Sequence, residues 1–330
     1  MTRQRTYWHL QALGRKPTEY DIVSSRLLYY PERGFAIRTP IAEWHERYQQ
    51  GTPLRCRDWE RFSDPRATTY TNYVDLQRDK ETFVDGLLAS IEESDYDAKL
   101  TPEWLAQLDR VFAPLRYPSH GLQMVASYVG ALAPSGKLVI TSLLQAGDEM
   151  RRVQRLAYRL CQLNQRYPEL GKRGREGWER DPIFQPLREL IERLLVTYDW
   201  GEAFVALNLV VKPVFDRLFM VQFGEVARAA GDDVLQKLFW SLLEDCTWHR
   251  AWARTLCVLL IEDDPRNGQV IGDWCRSWQR GARAAAEAGA AAFGDAPSAA
   301  RALADVDASL RDYWVECGLT PTAAQGEVTP

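Results

Sequence analysis

The four histidines of this 330-residue chain are the side chains best able to hold a redox metal. A carboxylate-bridged di-iron centre in a helical bundle takes a Glu from each of two helices and a Glu-x-x-His pair from each of two others, because the i, i+3 spacing places both ligands on one helix face. The histidines are His9, His45, His120 and His249. The residues three positions before them are not glutamates: Thr6, Ala42, Tyr117 and Cys246. The sequence therefore predicts that this chain cannot form the usual di-iron centre.

Two predicted helices nevertheless each keep half of that motif. Glu149 is followed at i+3 by Arg152 instead of His, and the stretch Asp148-Glu149-Met-Arg-Arg152 resembles an iron-binding Asp-Glu-x-Arg-His. His249 is preceded at i−3 by Cys246 instead of Glu, on the apolar stripe of its helix. We interpret Glu149, Arg152, Cys246 and His249 as degenerate di-iron positions.

Other interpretations of these four residues stay open. Glu149 and Arg152 could form an ordinary exposed ion pair, while His249 and Cys246 could be core residues. A mononuclear metal site of Glu149, Cys246 and His249 would need an unusual ligand set. A further hypothesis is that the Arg152 guanidinium occupies the space and supplies the charge of the lost metals, pairing with carboxylates left over in the bundle.

The other motif searches give no catalytic, cofactor-binding or metal-binding residue. The sequence lacks GxGxxG, Walker A, GxSxG and HExxH patterns. The six cysteines include no CxxC pair, which excludes a zinc ribbon, and we expect them to be reduced core residues. The Gly- and Arg-rich stretch 171–177 could hold an anion, but we expect a solvated loop there.

The elements that position these residues are predicted to be helices. Asp64-Pro65 and Thr101-Pro102 are typical of a helix N-cap followed by proline, and no stretch shows the period-two alternation of a strand. The predicted helices are 65–94, 102–132, 138–166, 183–198, 200–229 with a kink at Pro213, 232–262, 265–283 and 297–316, with a loop over 167–181. Long helices joined by short loops predict an all-α bundle.

Residues 1–64 are predicted to form an extended arm that wraps a partner subunit, followed by a helical domain over 65–317 and a flexible tail over 318–330. Prolines interrupt the arm, and only 41–50 has a helical pattern. The arm cannot bury its aromatic residues against itself, so they must lie along the rest of the chain or on a partner. Aromatic residues anchor interfaces, and we assign five of them to a subunit interface: Tyr20, Tyr29, Tyr30, Trp44 and Trp59.

Charge and hydropathy exclude several classes of protein. The net charge of −4 argues against a nucleic-acid partner. The longest uncharged run, 117–136, is too polar to span a membrane, and the N-terminus has no apolar leader. We therefore expect a cytoplasmic protein with no membrane partner. The 34 arginines against 7 lysines, together with 12 tryptophans, suit a surface that binds other protein chains.

Five stretches resemble the β subunit of the hydroxylase component of bacterial multicomponent monooxygenases, in the branch that oxidises toluene, benzene, phenol, alkenes or isoprene. The stretches are Lys16-Pro-Thr-Glu-Tyr-Asp-Ile-Val-Ser24, Pro114-Leu-Arg-Tyr117 with Leu122-Gln-Met and Ala126-Ser-Tyr-Val, Tyr167-Pro, Asp199-Trp-Gly-Glu-Ala-Phe-Val-Ala-Leu-Asn-Leu-Val-Val-Lys-Pro213, and the weaker His249-Arg-x-Trp252. The resemblance covers about residues 5–285, and 199–213 is its most specific part.

The resemblance implies a ferritin-like helical fold that has lost its iron and carries no catalytic residue. It implies a structural subunit of an (αβγ)₂ hydroxylase, in which a catalytic α subunit holds the di-iron centre that activates O₂. The implied partners are the α and γ subunits, a second β subunit, an effector protein, a Rieske-type ferredoxin and an NADH reductase with FAD and iron–sulfur centres. The complex would hydroxylate or epoxidise small aromatic or alkene hydrocarbons.

Two alternative functions remain at this point. The chain could be a divergent ferritin-like protein with its own metal site, or an unrelated helical adaptor. Neither the substrate nor its regiochemistry follows from this chain, because the resemblance assigns the substrate pocket to α.

Overall fold

The computed structural model describes residues 7–25 and 40–319, and in these ranges every regular element is helical. The helices are α1 (Glu19–Ser24), α2 (Pro40–His45, continued by a π-helical turn, Glu46–Gln50), α3 (Tyr70–Glu93), α4 (102–131), α5 (Gly136–Arg166), α6 (Gly174–Arg180), α7 (Gln185–Leu195), α8 (200–229), α9 (Asp233–Asp263), α10 (Arg266–Ala290) and α11 (Ala296–Glu316). The prediction of an all-α fold is confirmed. The predicted interface residues Tyr29 and Tyr30 lie outside the described residues, as does the tail from 320 onward.

Helix α3 begins at Tyr70, so the start predicted after Asp64 is wrong. Ala67 has a φ of 47°, in the left-handed region, and a right-handed helix cannot run through it. Thr69 supplies the N-cap instead, because its hydroxyl accepts from the backbone N–H of Asn72 while the Asn72 side chain accepts from the backbone N–H of Thr69. Asp64 closes the preceding turn by accepting from backbone N–H groups.

Helix α4 begins at the predicted cap and packs along α5. The Thr101 hydroxyl accepts from the backbone N–H of Trp104, and the helix then passes through a π-helical turn and a 3-10 turn, Leu108–Phe112 and Ala113–Leu115. At Gly121 the neighbouring helix α7 comes so close that a Cβ would lie 2.4 Å from Cγ2 of Ile191. Glycine is therefore required sterically at this crossing.

Helix α8 is the central helix, since every residue from 203 to 216 is buried. It runs through Pro213, which lies between two π-helical turns, Ala206–Val211 and Asp216–Gln222. A π-helical turn inserts an extra residue, so the side chains that follow it face a different direction from those of a uniform α-helix. The direction of the polar side chains of α8 is therefore set by these turns.

Helices α4, α5, α8 and α9 form the central bundle. Helix α3 packs against α9, while α7, α10 and α11 pack around α8. The apolar core is one continuous cluster that runs through all of these helices. Helices α5, α8 and α9 each bury polar side chains as well, and those side chains meet in the bundle centre.

The end of the predicted arm, 52–64, lies along the chain's own helical domain. The Thr52 hydroxyl donates to Asp199 Oδ1 at 2.9 Å, and the backbone N–H of Arg55 donates to Asn267 Oδ1 at 2.9 Å. The backbone N–H of Arg57 donates to a carboxylate at the end of α9. This part of the arm is thus held by α8, α9 and the start of α10.

Two stretches after residue 166 differ from the prediction. The stretch 167–181 is not a plain loop, since it contains α6, where Arg175 and Glu179 form an i, i+4 ion pair at 2.7 Å. Helix α10 continues to Ala290, beyond the predicted end at 283, because its alanine-rich end favours a helix even without large apolar residues. Among the described residues, no helix combines the length and the apolar character that crossing a membrane requires.

Candidate functional site: a buried ion-pair cluster

The four predicted degenerate di-iron positions meet in the centre of the bundle. Helix α5 carries Glu149 and Arg152, α9 carries Cys246 and His249, and all four side chains are at most 2% exposed. Arg152 Nη2 donates to Cys246 Sγ at 2.7 Å, and His249 Nδ1 lies 3.7 Å from Glu149 Oε1. Glu149 and Arg152 are therefore a buried pair, with 3.2 Å between Oε2 and Nη1, and not an exposed one.

Helix α8 adds two charged residues that the sequence analysis did not single out. Lys212 Nζ lies 2.7 Å from Glu149 Oε1 and 2.7 Å from Asp216 Oδ2, and Asp216 Oδ1 lies 2.9 Å from Arg152 Nη1. The signal that could have revealed them is a Lys and an Asp four residues apart within a stretch that is otherwise nearly all apolar. We call Glu149, Arg152, Lys212, Asp216, Cys246 and His249 the central cluster.

Each carboxylate of the central cluster contacts both cations. Glu149 places Oε1 on Lys212 and Oε2 on Arg152, and Asp216 places Oδ2 on Lys212 and Oδ1 on Arg152. Lys212 Nζ donates a hydrogen bond to Asp216 Oδ2 at 2.7 Å. The other three contacts are poorly aligned as hydrogen bonds, since both oxygens of Glu149, Oδ1 of Asp216 and Nη1 of Arg152 have no hydrogen-bond partner among the described residues. Those three contacts are therefore mainly Coulombic.

The charges of the central cluster balance. Burial raises the pKa of Asp216, but Lys212 and Arg152 outweigh it and lower the pKa to about 2, so Asp216 is ionised. Burial and Arg152 oppose the charge of Lys212, but the surrounding acidic groups outweigh them and raise its pKa. Burial raises the pKa of Cys246 to about 12, so its thiol is neutral. Two cations thus face two carboxylates.

His249 is neutral and points one bare nitrogen into the central cluster. Burial, and then the charges of Lys212 and Arg152, lower its pKa well below the ordinary value. Burial, and then the charge of Asp245, raise the pKa of Asp148 well above the ordinary value. Asp148 Oδ1 accepts from Tyr73 and Gln77, and on this geometry we assign the His249 Nε2–H as the donor to Asp148 Oδ2 at 2.9 Å. The other nitrogen, Nδ1, then carries no hydrogen and has no hydrogen-bond partner among the described residues.

A satisfied polar layer lies one helical turn away on the same three helices. Gln145 of α5 donates to Asn208 of α8 at 2.9 Å and accepts from the indole N–H of Trp252 of α9 at 3.0 Å. Asn208 also donates to a backbone carbonyl of its own helix. This layer is neutral, so the three helices carry uncharged polar groups on this side of the central cluster.

A second ion-pair network connects the bundle to α3. Arg151 of α5 contacts Asp245 of α9 at 2.8 Å and Glu81 of α3 at 2.6 Å, and Lys80 also pairs with Asp245. Gln77 donates to Asp245 and to Asp148, which in turn faces His249. The N-terminal half of α3 is therefore held by polar contacts, and the sequence analysis did not identify them.

The predicted interface aromatics differ in how much surface they offer. Tyr20 is 5% exposed and accepts from the backbone N–H of Asp64, while Trp59 packs edge-on against Trp200. Both are therefore used within this chain. Trp44 is 39% exposed and packs beside two tyrosines, so it keeps free surface, and its assignment to an interface stays a prediction.

The Gly- and Arg-rich stretch 171–177 already binds a carboxylate of this chain. The backbone N–H of Gly171 donates to Asp109 Oδ1 at 2.7 Å, and Arg173 lies 3.8 Å from the same carboxylate. A free anion would have to displace Asp109, which agrees with the expectation that no anion site is formed here.

Comparison with known proteins places the chain in a family. The family model described as Methane/Phenol/Alkene Hydroxylase matches residues 44–264. The chain is 36% identical over 291 residues to the hydroxylase component subunit beta of the toluene-4-monooxygenase system of Ectopseudomonas mendocina, with 86% of this chain and 89% of that protein covered. The chain belongs to the methane/phenol/alkene hydroxylase family. The resemblance to hydroxylase β subunits is thereby confirmed.

Two further relatives of this family support the assignment. The oxygenase component of phenol 2-monooxygenase from Pseudomonas sp. (strain CF600) is 25% identical over 287 residues, covering 84% of each chain. The structure of toluene 4-monooxygenase with toluene bound in its resting active site contains a chain that is 35% identical and superposes with a TM-score of 0.84, over 88% of this chain and 98% of that one. The ferritin-like hydroxylase fold is therefore confirmed.

The central cluster of this hydroxylase-family chain does not fit the di-iron centre that the resemblance implies for α. The guanidinium of Arg152 and the ammonium of Lys212 lie between the carboxylates that metal ions would need. Only two carboxylates and one bare imidazole nitrogen belong to the cluster, and Cys246 is a neutral thiol. No group of three or more His, Cys, Asp or Glu in the described part of the chain has an arrangement that could hold a metal ion.

Proposed function

We propose that this chain is the non-catalytic β subunit of the hydroxylase component of a multicomponent monooxygenase. The proposed complex uses NADH and O₂ to hydroxylate or epoxidise small aromatic or alkene hydrocarbons. The likeness to a hydroxylase subunit beta over 86% of the chain supports the subunit type. The single observation that carries the non-catalytic role is the pair of buried cations, Arg152 and Lys212, in the place where a catalytic bundle needs metal ligands.

The proposed role of this chain is to scaffold a catalytic partner. The di-iron centre would belong to the α subunit, and a γ subunit and a second β would complete the hydroxylase. The effector protein, the ferredoxin and the NADH reductase, with its FAD and iron–sulfur centres, would act on that complex in the cytoplasm. Among the predicted interface aromatics that the structure describes, Trp44 keeps the most exposed side chain and is the one that we propose contacts a partner.

Metal content and assembly test this proposal. The chain would be produced alone and together with the large hydroxylase subunit encoded beside it, and iron would be measured per chain after gel filtration. We expect iron to accompany the large subunit only, and we expect the two chains to elute together. Stoichiometric iron in the isolated chain would favour a divergent ferritin-like protein with its own metal site. A chain that stays monomeric beside the large subunit would favour a helical adaptor.

A further inference from the structure

We infer that Arg152 Nη1 and Lys212 Nζ stand where a di-iron bundle holds its two metal ions, and that this chain excludes metal by these two cations while keeping part of a metal-binding framework. The inference rests on the proposed function, since it describes how the non-catalytic subunit came to lack a metal. It concerns the chemistry of the central cluster, and it has a test separate from that of the subunit role.

The bridging geometry of the carboxylates is the first observation. In a carboxylate-bridged centre, one carboxylate places one oxygen on each of two metal ions. Glu149 and Asp216 each do the same toward Arg152 and Lys212, at 2.7 to 3.2 Å. Each cation therefore lies between one oxygen of Glu149 and one oxygen of Asp216.

The orientation of His249 is the second observation, and it is independent of the first. A metal-binding His usually donates its other ring N–H to a carboxylate, which fixes the ring and leaves a bare nitrogen for the metal. His249 Nε2 lies 2.9 Å from Asp148 Oδ2. Nδ1, which the assigned tautomer leaves without a hydrogen, has no hydrogen-bond partner within the described residues and lies 3.7 Å from Glu149 Oε1. A fully buried imidazole nitrogen without a partner is costly, and a metal would satisfy it.

Three substitutions would restore a metal site in the central cluster. Arg152→His completes Glu-x-x-His on α5, and Cys246→Glu completes it on α9. Lys212→Glu gives α8 a second carboxylate beside Asp216, in place of the Glu that the usual centre takes from a fourth helix. The wild-type cluster pairs two cationic side chains with two acidic ones. The triple variant has four carboxylates and no cation, so two divalent ions would restore neutrality.

Binding of Co(II), the only metal added, tests the inference. The full-length triple variant would be purified without oxygen, equilibrated with Co(II) and gel-filtered. Its matched control is Arg152→Gln/Lys212→Gln/Cys246→Ser, which removes both cations without adding ligands. We expect on the order of two Co(II) per chain of the triple variant, with a visible ligand-field absorption band. We expect almost none in the wild-type chain, and at most about one weakly held Co(II) in the control, which lacks the cations and keeps only Glu149, Asp216 and His249 as ligands. We also expect Co(II) at 100 times its Kd to increase the folding equilibrium constant of the triple variant by about 100-fold for each ion bound, or about 10⁴-fold for two.

A triple variant that is helical and binds no Co(II) would overturn the inference and leave the proposed function standing. Stoichiometric iron in the wild-type chain would overturn the proposed function itself. If the triple variant does not fold, the inference is tested by the stabilities of Lys212→Gln, Asp216→Asn and the double variant Lys212→Gln/Asp216→Asn. These stabilities measure how far the two opposite charges depend on each other. The inference requires the double variant to be more stable than either single variant, and a double variant less stable than both contradicts it.

Discussion

Replacing Arg152 by Met should destabilise the fold strongly at neutral pH and much less at mildly acidic pH. The side chain is 2% exposed and faces Glu149 and Asp216, so its removal leaves two buried carboxylates with only Lys212 between them. An uncompensated buried charge of this kind costs about 3–5 kcal/mol. Methionine fills a similar volume, so the cavity contribution is small.

Protonation of one carboxylate limits this loss and gives it a pH dependence. Holding a carboxyl with an ordinary pKa of 3.8 in its neutral form at pH 7 costs about 4 kcal/mol, since each pH unit is worth about 1.4 kcal/mol. The variant's folded state then binds one proton more than its unfolded state, so its stability rises as the pH falls. The destabilisation should therefore shrink by about 1.4 kcal/mol per unit between pH 7 and about 4.

The loss in unfolding free energy is measured by urea denaturation of the full-length chain at pH 5, 6 and 7, with far-ultraviolet circular dichroism as the signal. The control is Arg152→Met/Glu149→Gln, which keeps Lys212 and Asp216 as a balanced pair at 2.7 Å. We expect this double variant to be more stable than Arg152→Met at pH 7 and to lack the pH dependence. A loss in Arg152→Met that is the same at all three pH values, or a double variant less stable than the single one, would refute the reasoning.

Three further outcomes are expected. In the wild-type chain, the contribution of Asp216 to the free energy of unfolding should be lost only below about pH 4, because its folded pKa of about 2 lies under the unfolded value of 3.8. Measuring the free energy of unfolding against pH checks this. A loss that begins at pH 6 contradicts it. Gly121→Ala should destabilise by about 1–3 kcal/mol, since its Cβ would meet Ile191. Gly86→Ala, with no described atom within 4 Å of the new Cβ, should stabilise by about 0.5–1 kcal/mol in the same denaturation assay. Deleting residues 1–50 should impair assembly with the large subunit more than it impairs helicity, and size-exclusion of the co-expressed complex would show this; an intact complex speaks against the arm as a wrapping element.

The fold was predictable where local chemistry decides the structure. Thr101 with the proline after it marks the start of α4, because a hydroxyl cap and a following proline act within one turn. The same signature failed at Asp64, where the left-handed backbone of Ala67 separates the cap from the helix. A positive φ at an alanine has no signature in the sequence, since the residues that routinely adopt the left-handed region are Gly, Asn and Asp.

The sequence predicts which site residues share a face of one helix, but it does not predict which residues of different helices meet. Glu149 with Arg152, and Cys246 with His249, are pairs at i, i+3, so they share a helix face wherever the helix packs. Arg151 and Asp245 were missed because each lies beside a predicted residue, on a face turned toward α3. Glu81, which pairs with Arg151, lies on a helix whose position relative to α5 depends on the whole bundle.

Lys212 and Asp216 were missed because the motif search considered ligand spacing and not charge balance. The i, i+4 spacing fixes only that they are neighbours on α8, and their facing depends on the π-helical turn Ala206–Val211 that precedes them. The charge of the site could still have been inferred. Glu149 and Arg152 balance each other, so a buried acid on a third helix requires a buried base as its partner. Lys212 is that base, and its contacts join α8 to α5 through Glu149 and to α9 through Cys246. Searching buried helices for balanced charges, and not only for ligand spacings, would therefore have located the central cluster from the sequence.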